Sequence, residues 1–263
     1  MRFLVMAALA SSLMFAADSV KELTPTQVDE IIQKFSAKET AFAKAREMYT
    51  YKQSAKLQLL DDAGNPINEK WEEVSDVMFT SDGRRSEHVI FSPVSTLEKI
   101  QMDPGDLEDI RHTQPFVLTT ADLPEYWVRY LGHQNVDEIG CYVFAVKPKK
   151  VEGTKRYFSG EVWVDDHDLQ IVKSYGRGVG VQKHGEDHQY PKFETYREQI
   201  DGKYWFPTYT IANDTLHFKD MDQRLKMTVK YEDYKQFKSD ITITYGDAVD
   251  DKKDQKPPVK KQP

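Results

Sequence analysis

What most constrains this chain is a period of two in its apolar residues, broken by short polar turns and resumed again and again from Tyr49 to Phe237. Its clearest instance is Tyr157–Arg177, YFSGEVWVDDHDLQIVKSYGR. Phe158, Val162 and Val164 fall on one face of a first strand, with Tyr157, Glu161 and Trp163 on the other. Leu169, Ile171 and Tyr175 then alternate with Gln170, Val172 and Ser174 along a second. Alternation flanked by turn residues predicts an antiparallel hairpin. The turn is Asp165-Asp166-His167-Asp168, whose carboxylates suit a tight turn because they accept hydrogen bonds from the backbone that follows them.

The same pattern predicts a meander on either side. Strands are expected over Tyr49–Leu60, Trp71–Thr80, Arg84–Ser92, Tyr130–Val136, Gly140–Pro148, Phe193–Ile200, Lys203–Ala212, Leu216–Lys219 and Leu225–Phe237. Residues 93–126 break the rhythm. Ser95–Met102 is mildly helical in pattern, Asp106–Arg111 allows a further turn, and Thr120 starts a short helix carrying Tyr126, Trp127 and Tyr130. Gly176–Pro191 is glycine-rich and polar, which predicts a mobile loop.

Before the strands, Thr24-Pro25-Thr26-Gln27 is a helix start. Thr24 is the N-cap, Pro25 takes the first helical position and Gln27 completes a capping box. Val28, Ile31, Ile32, Phe35, Phe42 and Ala45 follow at helical spacing, so the helix should run to about Met48 with one apolar face. The fold class expected is α+β: a strongly curved antiparallel sheet forming a half-open β-barrel, closed by an N-terminal helix and a short helical insertion.

Domain organisation follows from the ends. Met1-Arg2 and the apolar stretch Phe3–Ala17 are too short to cross a bilayer as a helix and suit a secretory signal, so residues 1–17 are expected to be removed on export. One domain is expected over 18–245. Residues 246–263 are almost all Asp, Lys, Pro and Gln, which predicts a disordered charged tail. No other apolar run approaches membrane-spanning length, so the mature chain should lack a transmembrane segment.

Charge and cysteine content exclude some functions. The 263 residues carry a formal net charge of −7, leaving no basic excess to neutralise phosphates, so nucleic acid is not an expected partner. Aromatic residues make up 12% of the chain and must supply much of the buried area. Cys141 is the only cysteine, so no intrachain disulfide is possible, and its strand context predicts a buried, inert thiol.

Candidate chemistry is sparse. His184-Gly-Glu-Asp-His188 spaces two histidines like helical metal ligands, but Gly185 argues against a helix and no third ligand is evident. Asp165, Asp166 and Asp168 lack the spacing and terminal Glu of a calcium loop. Glu161 with Asp165, and Glu194 with Glu198, share strand faces as any solvent-facing pair would. Gly176-Arg-Gly-Val-Gly180 lacks the strand–helix setting that cradles a phosphate. Neither a cofactor nor a metal is expected, and no catalytic residue is named.

Several stretches together resemble the outer-membrane lipoprotein-sorting superfamily, with its LolA/LolB-like fold. Leu123–Val136 followed by Gly140-Cys-Tyr-Val-Phe-Ala-Val-Lys-Pro148 looks like that family's central strand pair. Gly160-Glu-Val-Trp-Val-Asp165 with Leu169-Gln-Ile-Val172 resembles its most recognisable hairpin, and Trp205-Phe206-Pro207-Thr208 a strand that often carries Phe-Pro. The resemblance implies an incomplete barrel closed by helices over a hydrophobic cavity, and a periplasmic, non-enzymatic monomer. Its ligand would be a lipid, a lipoprotein acyl chain or another apolar molecule. The family's functional arginine has no clear counterpart here. Residues expected to line the cavity are Leu57, Leu59, Trp71, Val77, Phe79, Phe91, Phe144, Val162, Trp163, Val164, Trp205 and Phe206. The alternative is an envelope protein-binding or sensor module without lipid cargo, using sheet edges or the tail.

Overall fold

The computed structural model describes residues 23–80, 82–181 and 189–237. The expected signal segment, the charged tail and the two histidines of the 184–188 motif lie outside them. Helix α1 spans Pro25–Arg46. Its capping box forms as the sequence predicts: Gln27 N donates to Thr24 Oγ1 at 3.3 Å and Thr24 N donates to Gln27 Oε1 at 2.9 Å. Ten strands follow among the described residues: β1 Tyr49–Leu60, β2 Pro66–Phe79, β3 Arg85–Phe91, β4 Tyr126–Val136, β5 Ile139–Pro148, β6 Tyr157–Asp165, β7 Ile171–Val179, β8 Phe193–Gln199, β9 Trp205–His217 and β10 Asp222–Gln236.

All ten form one curved antiparallel sheet in the order β3-β2-β1-β10-β9-β8-β7-β6-β5-β4. From β4 to β10 the chain meanders, and the N-terminal strands join the far side through β1 on β10. The two edges, β3 and β4, are consecutive in sequence. The segment joining them, 92–125, therefore carries the chain from one edge of the sheet to the other. Register breaks at Thr50/Lys52, Gln58/Leu60, Tyr130/Gly132 and Tyr196/Arg197 add local bend and twist, the usual route by which a wide sheet curls.

The inner face of the sheet and α1 share the main core, where Phe35 packs on Phe144 at 5.3 Å between ring centroids. Phe42, also buried, packs on Phe206 at 5.2 Å in a smaller cluster with Tyr49. The alternation along β6 is resolved here. Val162 and Val164 join this inner core, whereas Trp163 lies in a separate cluster with Cys141, Val143 and Val172. Cys141 is fully buried, and burial pushes its thiol up to about 12.

The hairpin turn at Asp165 is built as expected, with Asp165 Oδ1 accepting from His167 N at 2.7 Å and Asp168 N at 3.1 Å. Three other expectations are corrected. Ser95–Met102 is not helical; it is laid along the start of β2, where Thr96 N donates to the Lys70 carbonyl and Glu69 accepts from the Glu98 and Lys99 amides at 2.9 Å. A carboxylate offered to the backbone competes with the helix. The expected helix at 120–130 shrinks to a 3-10 turn, Leu123–Glu125, because Tyr126 already belongs to β4. Strand β7 also runs into the predicted glycine-rich loop, through Val179. Its glycines serve close approach: a Cβ on Gly178 would overlap the Asp109 carboxylate.

Candidate ligand cavity

The insertion builds one wall of the site. Asp103 caps a short helix α2, Pro104–Glu108, through a reciprocal box in which Asp106 N donates to Asp103 Oδ1 and Asp103 N to Asp106 Oδ2, both at 2.8 Å. A π-helical turn, Asp109–Thr113, continues it. This pair of turns is pinned to the sheet by Asp109, which accepts from Arg156 Nε at 2.9 Å and Nη2 at 2.6 Å with both side chains 7% exposed. The Arg156 guanidinium also lies 3.7 Å from the centroid of the Tyr190 ring. Further on, Thr195 Oγ1 donates to the Gln114 carbonyl at 2.8 Å.

Between this wall and the sheet lies a cavity of about 890 Å³. Its floor is apolar: Leu57 from β1, Phe193 from β8, Leu216 from β9, and Leu225 and Met227 from β10. These are the inward positions of four adjacent strands. Ile100, Met102 and Pro104 of the insertion, Pro191 before β8, and Phe218 and Met221 of the β9–β10 turn complete the apolar lining, with Lys99, Asp103, Asp106, Asp109, Gln189, Lys219 and Asp220 among the polar lining groups. Volume and composition fall in the range of small-molecule sites.

Two polar features stand out within it. Burial pushes the Asp106 carboxyl up to about 7, the like charges of Asp103 and Asp109 adding to the effect. Gln114 is 2% exposed and lines the cavity; its Nε2 contacts Met227 Sδ at 3.6 Å, while Oε1 has no hydrogen-bond partner among the described residues. A ligand N–H or O–H would satisfy that oxygen.

Of the residues named from the sequence, Leu57 lines this cavity. Leu59, Val77, Phe144, Val162 and Val164 are fully buried core side chains, and Trp71 is half-buried against the same core. Phe79 and Phe206 line a separate narrow pocket. Trp163 and Trp205 belong to the second cluster, where Trp163 Nε1 donates to Gln134 at 3.1 Å and Trp205 Nε1 to Asp168 at 3.2 Å. Phe91 is 51% exposed on edge strand β3. Alternation identified inward residues, but most of the inward face is filled by α1 and by Phe116 and Leu118 of the insertion. Ile100 and Met102 of the wall fall in the stretch whose pattern is mildly helical, and that pattern does not mark them as cavity lining.

Among the described residues no group of three or more His, Cys, Asp or Glu side chains could hold a metal ion, and no helix is long and apolar enough to cross a membrane.

No protein-family model matches the chain, and no curated protein sequence matches it. Solved structures do. A DUF1329 family protein from Desulfovibrio piger is 14% identical, with a TM-score of 0.40 over 81% of this chain and 95% of its own. A LolA superfamily protein from Nitrosomonas europaea is 12% identical, with a TM-score of 0.35 over 78% of this chain and 94% of its own. A domain described as outer membrane lipoprotein-sorting, from Vibrio parahaemolyticus, is 10% identical, with a TM-score of 0.34 over 78% and 93%.

Proposed function

We propose that this protein is an exported, periplasmic carrier or receptor for an apolar, chain-like ligand, a lipid or a lipoprotein acyl chain, held in the cavity beneath the insertion. The observation that carries this reading is the cavity of about 890 Å³ with a floor of Leu57, Phe193, Leu216, Leu225 and Met227. Burial of chain methylenes against such a floor supplies affinity without catalysis, at about 0.8 kcal/mol per buried CH₂. The Gln114 oxygen and the Asp103–Asp106 edge would orient a polar end bearing a hydrogen-bond donor. Uptake and release would require the wall of α2 and the π-helical turn to shift against the sheet. Export, removal of residues 1–17 and a monomeric state belong to the same proposal.

Native mass spectrometry of the protein purified from its own envelope tests it. A bound lipid mass that is lost on delipidation, and that is absent in a cavity-filling Leu225→Trp variant, is the expected result. A folded protein that takes up neither lipid nor a fluorescent fatty-acid probe would overturn it.

A second reading rests on β3, an edge of the sheet among the described residues, where Val89, Ile90 and Phe91 are 47%, 50% and 51% exposed. Such an edge can take an extended segment of a protein partner as an added strand. Binding of an envelope protein that survives Leu225→Trp but is lost on Ile90→Lys would favour this reading over lipid carriage.

A further inference from the structure

The next residues of the same π-helical turn, Arg111 and His112, line a second recess. Its narrow part, about 20 Å³, is bounded by Arg46 of α1, Arg85 of β3, Arg111 and His112 over aromatic walls that include Phe79 and Tyr234. A groove of about 240 Å³ meets it at Arg46, His112 and Pro115, which line both. In a chain of net charge −7, four basic side chains converge here from three separate elements. Among the described residues, Glu39 of α1, itself paired with Arg197, bears on Arg46, and two further acids face the rest. Glu87 takes Arg111 in a fork at 3.0 and 3.1 Å and also pairs with Arg85, and Glu108 stands 3.8 Å from His112.

The buried member of the set is incompletely bonded. The Arg85 side chain is 7% exposed; its Nη2 donates to Gln53 Oε1 at 2.8 Å, but its Nε has no hydrogen-bond partner among the described residues. The Ser75 hydroxyl, opposite Gln53 in the β1–β2 ladder, is likewise buried and without a hydrogen-bond partner among the described residues. A buried donor on a cation is costly to leave unmatched. The narrow pocket is large enough for one oxygen, since a water needs roughly 10–15 Å³ of such space. Burial above all, with Arg85, Arg46 and Arg111 close by, holds the His112 imidazole below its ordinary value against the pull of Glu108.

We propose that this recess binds a phosphate group, with one oxygen directed toward Arg85 and the others held by Arg46, Arg111 and His112. Donors arriving from a helix end, a strand and the π-helical turn surround a tetrahedral anion better than a planar carboxylate. Arginine forks over an apolar, low-dielectric wall suit that charge. The site shares no basic residue with the cavity beneath the insertion and does not depend on what that cavity holds.

Free phosphate and a phospholipid headgroup present the same chemistry, and one experiment separates them. The His112 Cε1–H resonance of the full chain is followed by NMR in chloride buffer during titration with inorganic phosphate and, separately, with dihexanoyl phosphatidylglycerol below its micelle concentration. Either ligand is expected to raise the pH midpoint of His112. Response to inorganic phosphate assigns a free-phosphate site; response to the diester alone assigns a headgroup site. Arg46→Gln and Arg111→Gln should each weaken binding by roughly tenfold to a hundredfold, the range for one charge-assisted hydrogen bond. The proposal is overturned if neither ligand moves the resonance, or if both variants fold by circular dichroism and bind as tightly as the parent. Leu225→Trp, which fills the large cavity, should leave this titration unchanged.

Discussion

Glu39 on α1 and Arg197 on β8 form an ion pair at 3.1 Å that is sealed from water, with side-chain exposures of 0% and 2%. The pair is a junction. Glu39 Oε1 also accepts from Ile171 N at 3.1 Å, and Arg197 Nη2 donates to the Phe116 carbonyl, so one contact ties helix, two strands and insertion together. Burial pushes the Glu39 carboxyl up, and Arg197 pulls it back. Glu39→Gln or Arg197→Met alone is expected to lower stability by about 3–5 kcal/mol, because the surviving partner keeps its desolvation penalty. The double variant Glu39→Leu/Arg197→Met should recover much of that loss, as read from urea unfolding midpoints.

Asp106 sets a pH dependence. Its carboxyl titrates at about 7 in the folded protein against an ordinary value of 3.8, so between those pH values the folded state binds more protons than the unfolded chain. Its contribution to stability is therefore fully present below 3.8 and is lost as pH rises through about 7. Asp109, also raised by burial, acts in the same direction. Asp106→Asn keeps an oxygen to accept from Asp103 N and removes the titration. It should flatten the slope and raise stability by about 1–2 kcal/mol near pH 8, a value discounted for partial exposure. Denaturant melts across the pH range check this; a parent-like slope in the variant would count against it.

Gly178 bears on the wall of the cavity. A Cβ there would overlap Asp109, which Arg156 holds in place with two hydrogen bonds. Gly178→Ala should cost about 1–3 kcal/mol, the usual penalty for overpacking, and displace the π-helical turn. Thermal unfolding gives the cost, and amide chemical shifts of Asp109–Thr113 report the displacement.

Phe144 and Phe91 separate the inner face from the edge. Phe144 is fully buried against Phe35, whereas Phe91 is 51% exposed. Phe144→Ala is expected to destabilise by about 3–5 kcal/mol. Phe91→Ala should stay within about 0.5 kcal/mol. Equal losses in chemical denaturation would contradict this assignment of faces.

Much of the fold was legible because local chemistry dictates it. Thr24 and Gln27 specify the start of α1, alternation specifies the strands, and the Asp165 turn satisfies its own backbone. Helix length, strand order along the meander and the buried state of Cys141 follow from signals a few residues apart. What local pattern misled on is also physical. Ser95–Met102 lost its helix to Glu69, whose carboxylate lies about thirty residues away in sequence and offers the amides of 98 and 99 a competing acceptor. Glu39 sits on the buried face of α1, where no polar residue was expected, because its partner Arg197 comes from β8.

The sequence by itself determined which side chains share a face, since the pleat and the helical turn impose that wherever the chain runs. Only the tertiary structure decided which face is inward and which part of it stays uncovered. Val162, Val164 and Phe144 point inward as a cavity lining should, yet α1 and Phe116 fill the space above them. Leu57, Phe193, Leu216, Leu225 and Met227 are left facing the cavity because α2 and the π-helical turn are held at its edge by Asp109 and Arg156. Those contacts join residues 47 positions apart in the chain, and no periodicity reaches that far.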